Sequence, residues 1–524
     1  MFQNALELYQ TGQLDKAATL LRALDKSQPG LPDVYQLRGM VALQARKPDV
    51  AVKILKFGVK KCPDQPTLLD MLGTALSEKG DFEESETAYG QSLALAPNEP
   101  GVLKNLGHVL KKQNKLEGAR DAYRKSLELR PGNADTQYNL ATVLEDLGDL
   151  EGAEDACRKA SEIVPDRAII FRSLARVLLC QGKQEESFAA VERALEIDPK
   201  HHRSLEILGE HYFLQGRLAE AWENYEVREW HRHNEENRSS AFDQPIWAGQ
   251  PLDGKSVMVW GELGVGDEVM FSSMVPDLQA AGAGVVLECD PRLKALFERS
   301  FPDVRCLARR HGVLTEAMDG IDYQISGGSL GRWLRSDFSA FPDRKSFLVA
   351  DEDHRDQLHQ KYLAGSDNLL VGIAWGSANP NIGGNKSMPL ETLAPLAAKP
   401  GIRLVNLQYG DTLDERKEFE EKTGVSIIDD PEVDQLADLD TFAAQIDAMD
   451  LVISISNTTV HLAGALGKPT WMMLPVMPMW RWLADRDNSP WYSSVQLFRQ
   501  TERGQWVGVI DEVMAAFKDF SPKR

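Results

Sequence analysis

Hydrophobic and polar positions follow two regimes along the chain. Up to about residue 232 apolar residues recur at helical spacing in paired segments, and the whole pattern returns every 34 residues. Pro29, Pro63, Pro97, Pro131, Pro165 and Pro199 keep that step, and so does a series of small residues, Gly39, Gly73, Gly107, Ala141, Ala175 and Gly209. A third series runs from Ala17 through Ala51, Ser85, Ala119, Ala153 and Ser187 to Ala221. The period predicts two antiparallel helices per unit. Small residues stand where helices cross closely, large ones such as Tyr89, Tyr123 and Tyr225 fill beside them, and proline stops a helix. Turns such as Lys79-Gly80-Asp81 and Leu147-Gly148-Asp149 join the helices of a pair. One hairpin cannot bury its apolar face alone, so the stack is the stable object.

From residue 255 the pattern changes to short β-rich runs alternating with amphipathic helices: SVMVW, GVVLEC, DYQIS, LLVGIAW, RLVNLQY and LVISIS. This alternation predicts parallel sheets covered by helices on both faces. The expected fold class is therefore α plus α/β, an N-terminal α-solenoid followed by two Rossmann-like α/β domains. The expected boundaries are 1–232 for the repeats, 233–254 for a polar linker, and 255–360 and 361–524 for the two sheet domains. In the linker His231 and His233 lie near Glu235, and a solvated helix end is the simpler reading than a metal site, because residues two apart on a helix do not share a face.

The 34-residue pattern resembles the tetratricopeptide (TPR) family over seven units, the first truncated. The resemblance implies a superhelix with a concave groove for extended peptide. Asn105 and Asn139 share one repeat position, and in TPR-bearing glycosyltransferases such asparagines hold the backbone of a peptide. Asparagine is also common at that position for structural reasons, and Leu37, Met71 and Ile207 interrupt the series.

Ligands of parallel sheets bind at the carboxyl ends of the strands. After the first strand comes Gly261-Glu262-Leu263-Gly264-Val265-Gly266-Asp267-Glu268, a glycine-rich turn into a helix. Its two carboxylates would repel pyrophosphate; they suit either capping of the helix or a general base at Asp267. After LLVGIAW a Gly/Asn loop, Asn379 to Asn385, leads to Lys386, placed where a loop could close over a ligand. The run ending at Ser456 continues through Asn457, Thr458, Thr459 and His461 into a small-residue helix, which suits a diphosphate; capping accounts for one of these polar residues more easily than three.

The motifs G-x-G-D, K-x-x-P and S-x-x-x-x-H-L-A-G-A-L-G-K-P together resemble heptosyltransferase-type glycosyltransferases of the GT-B fold, over about 255–510. The segment from Met472 to Gln500 is similar to bacterial proteins that fuse such a domain to TPRs, flagellin-modifying transferases among them. The resemblance implies Asp267 as the base on the acceptor hydroxyl, Lys386 on the donor phosphate, and His461 with Asn457, Thr458 and Thr459 at the nucleotide-diphosphate end. Ser377, Trp375 and Gln408, near strand ends on that side, are expected donor contacts, Trp375 being equally suited to the core. Ser456 stands where many relatives carry Asp. The implied function is a metal-independent, inverting protein glycosyltransferase that uses a nucleotide-sugar as substrate, needs no cofactor or metal, and acts on a protein acceptor, with flagellin the candidate. A non-catalytic TPR adaptor is the alternative; a nucleotide-sugar epimerase or a lipopolysaccharide heptosyltransferase has less use for seven peptide-binding repeats.

Composition narrows the partners. The formal charge of −20 repels phosphate backbones and anionic lipid, so nucleic acid is not expected. Five widely spaced cysteines without a CxxC pair suggest neither a disulfide framework nor a zinc site. The N-terminus carries no leader pattern and no run is long enough to span a membrane, so a cytoplasmic, reducing location is expected.

Overall fold

The computed structural model describes residues 1–228, 243–309, 320–377 and 386–521. They form two compact units, Met1–His201 and His202–Arg524.

The first unit is a run of antiparallel helices from Phe2–Gln10 to Gln184–Ile197. The periodic prolines stand two residues beyond helix ends, Pro63 after Pro48–Lys61 and Pro97 after Phe82–Leu95, where the missing N–H costs nothing. The small residues sit under large ones as the pattern predicts. A Cβ added at Gly73 would lie 2.7 Å from the Tyr89 ring, and one at Gly107 would lie 2.7 Å from the Tyr123 ring. The turn glycines Gly80 and Gly148 have φ of 94° and 79°, where a side chain would be strained.

The second unit opens with one more hairpin, His202–Leu214 and Leu218–Tyr225, followed by two sheets. Strands β1 (Ser256–Trp260), β2 (Gly284–Cys289), β3 (Arg305–Ala308) and β4 (Tyr323–Ser326) form the first, in the order β3-β2-β1-β4. Strands β5 (Leu369–Ala374), β6 (Ile402–Asn406), β7 (Leu451–Ile455), β8 (Thr470–Leu474) and β9 (Val495–Arg499) form the second, in the order β6-β5-β7-β8-β9. All pairings are parallel; Met258 lies between Val286 and Gln324, and Gly372 between Val405 and Val452. The six expected strands are present, and β3, β8 and β9 are additional. An N-terminal helical repeat region followed by a region of parallel sheets is thus the observed architecture.

The compact division falls before the last hairpin rather than after residue 232, because that hairpin is packed onto the sheets. Trp222 is buried and donates from Nε1 to the Arg335 carbonyl at 2.8 Å. Phe213 stacks on Trp480 with ring centroids 4.3 Å apart. Arg228 closes the hairpin against β1: its Nη2 reaches Glu262 Oε1 at 2.7 Å, Ser326 Oγ at 3.1 Å and Ser329 Oγ at 3.0 Å. Burial acts to lower the Arg228 pKa, but Glu262 and its neighbours hold it above the ordinary value, so the pair is ionised.

Of the expected linker, residues 233–242, with His233 and Glu235, lie outside the described residues, as does His231. The remainder is not free: Trp247 is buried and its N–H donates to Gln324 O at 2.9 Å, along the outer edge of β4. Among the described residues no helix is long and apolar enough to cross a membrane, and no group of three or more His, Cys, Asp or Glu is gathered as a metal site.

Candidate functional site

The carboxyl ends of β1, β5, β7 and β8 carry the polar residues of interest. Beyond β1 the chain turns through Leu263, a non-glycine residue at φ 63°, into helix Val265–Ser272. Asp267 is in the first turn of that helix, with Oδ2 3.4 Å from Gly264 N, a long capping contact. Its Oδ1 accepts instead from Arg481 Nη2. Glu268, the other carboxylate of the pair, is structural: it is buried, pairs with Arg309 at 2.6 Å and accepts from Asp290 N at 2.7 Å.

Arg481 comes from the turn Trp480–Trp482 beyond β8. This turn ends at Leu483, with φ 55° and ψ 176°, a conformation that costs a non-glycine residue about 1–3 kcal/mol. The loops bearing Asp267 and Arg481 are therefore both strained. Such strain persists only where surrounding packing enforces it, and it gathers at functional sites.

Lys386 is 9% exposed, and its Nζ lies 3.7 Å from Met479 Sδ, with no carboxylate in ion-pair range among the described residues. Burial, and then Arg481, bring its pKa down to about 8, while Asp267 pulls the other way. Arg481 Nη1 bears on the same sulfur at 3.2 Å. Two cations and one carboxylate therefore share a small buried volume, a local positive excess on a chain of formal charge −20.

Helix Thr458–Ala465 leaves β7. None of the polar residues at its start caps it from Asn457, the N-cap position, which makes no side-chain cap hydrogen bond. Asn457 instead donates to Gly376 O at 3.3 Å and accepts from Ser454 Oγ at 3.1 Å, tying the end of β7 to that of β5. Thr459 Oγ1 turns back to Leu407 O at 3.3 Å, and Thr458 is half-buried. The capping explanation is thus removed, and first-turn N–H groups are left to face the site without a side-chain cap at Asn457.

Three expected donor contacts are corrected. His461 is buried in the wall of the site: Nδ1 meets Tyr492 Oη at 2.8 Å, its ring lies 5.2 Å from Trp482, and a Cβ on Gly266 would meet it at 2.8 Å. Burial, then Arg481 and Lys386, hold its pKa well below the imidazole range, so it is neutral packing rather than a charged phosphate ligand. Trp375 lies on the face of β5 shared with Val371 and Ile373, inside the core, and its Nε1 donates to Glu415 at 2.5 Å. Gln408 spends its amide on backbone, Oε1 accepting from Trp375 N at 3.0 Å and Gly376 N at 2.6 Å. Ser377 is half-buried beside Ser387, whose Oγ accepts from its N–H at 3.0 Å. Asn105 and Asn139 belong to the first unit and are half-buried. The Asn105 side chain neighbours Asp70 and Tyr89 of the preceding hairpin.

Sequence reasoning missed Arg481, Tyr492 and Trp482. The last donates from Nε1 to Ser456 Oγ at 2.9 Å, so this serine at the end of β7 has an indole as partner. The signal was the run Met479-Trp480-Arg481-Trp482, where a lone arginine is held between tryptophans in an apolar stretch.

Models of the tetratricopeptide repeat match residues 66–99, 133–200 and 172–229, and a TPR repeat model matches 107–148. Protein FlbA of Caulobacter vibrioides is 35% identical over 322 residues, covering 58% of this chain and 53% of that protein. The chain thus spans about half the length of this relative. Among solved structures, the C-terminal part of a TPR repeat-containing protein from Cytophaga hutchinsonii is 18% identical, covering 43% of this chain and 93% of that one (TM-score 0.37). Pseudomonas aeruginosa pilF is 18% identical, covering 40% and 95% (TM-score 0.36). MamA from Desulfovibrio magneticus is 21% identical, covering 32% and 96% (TM-score 0.30). The period, the glycine-on-tyrosine packing and the family models agree that the N-terminal region is built of tetratricopeptide repeats.

Proposed function

We propose that the second unit is a GT-B-type glycosyltransferase that moves a sugar from a nucleotide-sugar to a protein held by the repeats, with flagellin as the candidate acceptor. The observation that carries the reading is the grouping of Asp267, Arg481 and Lys386 at the carboxyl ends of parallel strands. A carboxylate there can take the proton of an acceptor hydroxyl, while buried cations and the start of helix Thr458–Ala465 offset the charge that develops on a departing diphosphate. The cations and backbone N–H groups are placed to offset that charge, so the transfer is proposed to be metal-independent, and inverting as the resemblance implies. Repeats bind polypeptide in general, which favours a protein acceptor over a lipid-linked sugar.

Intact-mass spectrometry of cellular proteins, flagellin first, tests this in cells with the intact gene, a deletion and an Asp267→Asn copy. The reading requires a glycan-sized mass loss in the deletion that Asp267→Asn fails to restore. Unchanged glycoprotein masses in the deletion would sink it. A non-catalytic adaptor is the second reading, favoured by Ser456, whose hydroxyl is engaged by Trp482 where many relatives carry Asp. Nucleotide-sugar binding without transfer or hydrolysis in the purified chain would select it.

A further inference from the structure

The partners of Arg481 are unequal. Arg481 is 6% exposed, yet its guanidinium has one strong acceptor, the Asp267 carboxylate; Nη1 rests on a thioether and Nε has no partner among the described residues. A guanidinium carries five N–H donors, and sulfur is a weak acceptor. Lys386 leans on that same sulfur, so the two cations are neighbours that have one carboxylate between them. A diphosphate has both the charge and the oxygens that this pair lacks, and bidentate phosphate contacts suit arginine.

We propose that Arg481 is a positioning residue with two alternative acceptors, the Asp267 carboxylate and the donor's diphosphate, and that taking the second frees the first. This rests on the phosphate-site reading above and adds an order of events to it. While Asp267 Oδ1 accepts from Arg481 Nη2 that oxygen is occupied, and it is released when the guanidinium turns to the diphosphate. Asp267 then has an oxygen free to meet an acceptor hydroxyl only once donor is bound. The turn Trp480–Trp482 is suited to the motion's anchor, since Trp480 and Trp482 are held by Phe213 and Ser456 while the side chain between them changes partner.

Competition for one guanidinium implies a reciprocal antagonism between Asp267 and the phosphate ligand. Inorganic pyrophosphate is the probe, titrated calorimetrically into the full-length chain, with thermal melts to verify the fold of each variant. Arg481→Gln weakens pyrophosphate by about tenfold, and Asp267→Asn tightens it by about tenfold, in the ordinary range of such couplings. The deciding variant combines the two: the gain from Asp267→Asn disappears when Arg481 is already Gln. A gain that persists in the double variant reflects removal of a nearby negative charge and overturns the exchange, as does an unchanged affinity in Asp267→Asn. Lys386→Met separates the layers. If it weakens pyrophosphate while the exchange fails, the phosphate site stands without the switch; if neither Lys386→Met nor Arg481→Gln weakens it, the phosphate site itself is wrong. Should Arg481→Gln not fold, Arg481→Met carries the same cycle.

Discussion

The last hairpin and those before it follow one sequence period but bury different things. In the first unit Tyr89 and Tyr123 each cover the glycine sixteen residues earlier, so every hairpin is completed by itself and its like. At the corresponding place Tyr225 leaves Gly209 to Asn224, sits 5.4 Å from the Trp480 ring and carries Arg228 on its face at 4.0 Å. At the repeat position that holds Glu86, Arg120 and Glu154 in three earlier hairpins and Phe188 in the preceding one, this hairpin presents Trp222, 1% exposed. A repeat array is stable as a sum of local contacts. Its final unit has exchanged that local economy for long-range contacts to both sheets, next to the turn that bears Arg481.

That contrast can be broken at several points. The strongest is the Arg228–Glu262 pair, where removing one partner leaves a buried charge. Either Arg228→Met or Glu262→Gln is expected to destabilise the second unit by about 3–5 kcal/mol, while the double replacement Arg228→Met/Glu262→Met recovers much of that loss. Denaturant melts decide it, and additive losses contradict the assignment. Trp222→Ala removes a ring enclosed by Gly331, Phe213 and Trp480 and costs a similar amount, about 3–5 kcal/mol. Tyr123→Ala, equally buried, is expected to leave pyrophosphate binding unchanged, whereas Trp222→Ala weakens it; equal effects on binding would erase the distinction between hairpins.

A smaller effect concerns pH. Lys386 titrates near 8 in the folded chain, below its ordinary 10.5, with Arg481, Asp267 and neutral His461 facing it. The folded state therefore binds fewer protons than the unfolded one between these values, so the penalty of burying this lysine is full below about pH 8 and fades as pH rises toward 10.5. Lys386→Met is expected to stabilise the chain at pH 7 by on the order of 2 kcal/mol and to lose that advantage in alkali. In the parent chain anion affinity falls as pH rises through about 8, because the cation is lost. A pyrophosphate affinity flat from pH 7 to 9.5 contradicts this role.

The repeat register, the parallel sheets and the loops carrying Asp267 and Lys386 were legible because each is written in local spacing. Trp375 could have been placed by strand parity, since positions 371, 373 and 375 share one face. Trp222 was not marked by the period, because the preceding unit already carries an aromatic, Phe188, at the same position. The partnership of Arg481 with Asp267 was not, because the residues are far apart in sequence and meet only through packing of two sheets. The domain boundary at 232 failed to match the compact division for the same reason: period marks where a motif ends, not where its buried face goes.

The unit that houses the site begins at His202 and includes the last repeat hairpin. Two truncations, 202–524 and 229–524, compared with the full chain by thermal melting and pyrophosphate calorimetry, test it most directly. The 202–524 chain is expected to melt cooperatively and to bind pyrophosphate within about threefold of the full chain, well under the couplings of shared sites, whereas 229–524 is expected neither to melt cooperatively nor to bind. Cooperative melting and equal binding by 229–524 would contradict it.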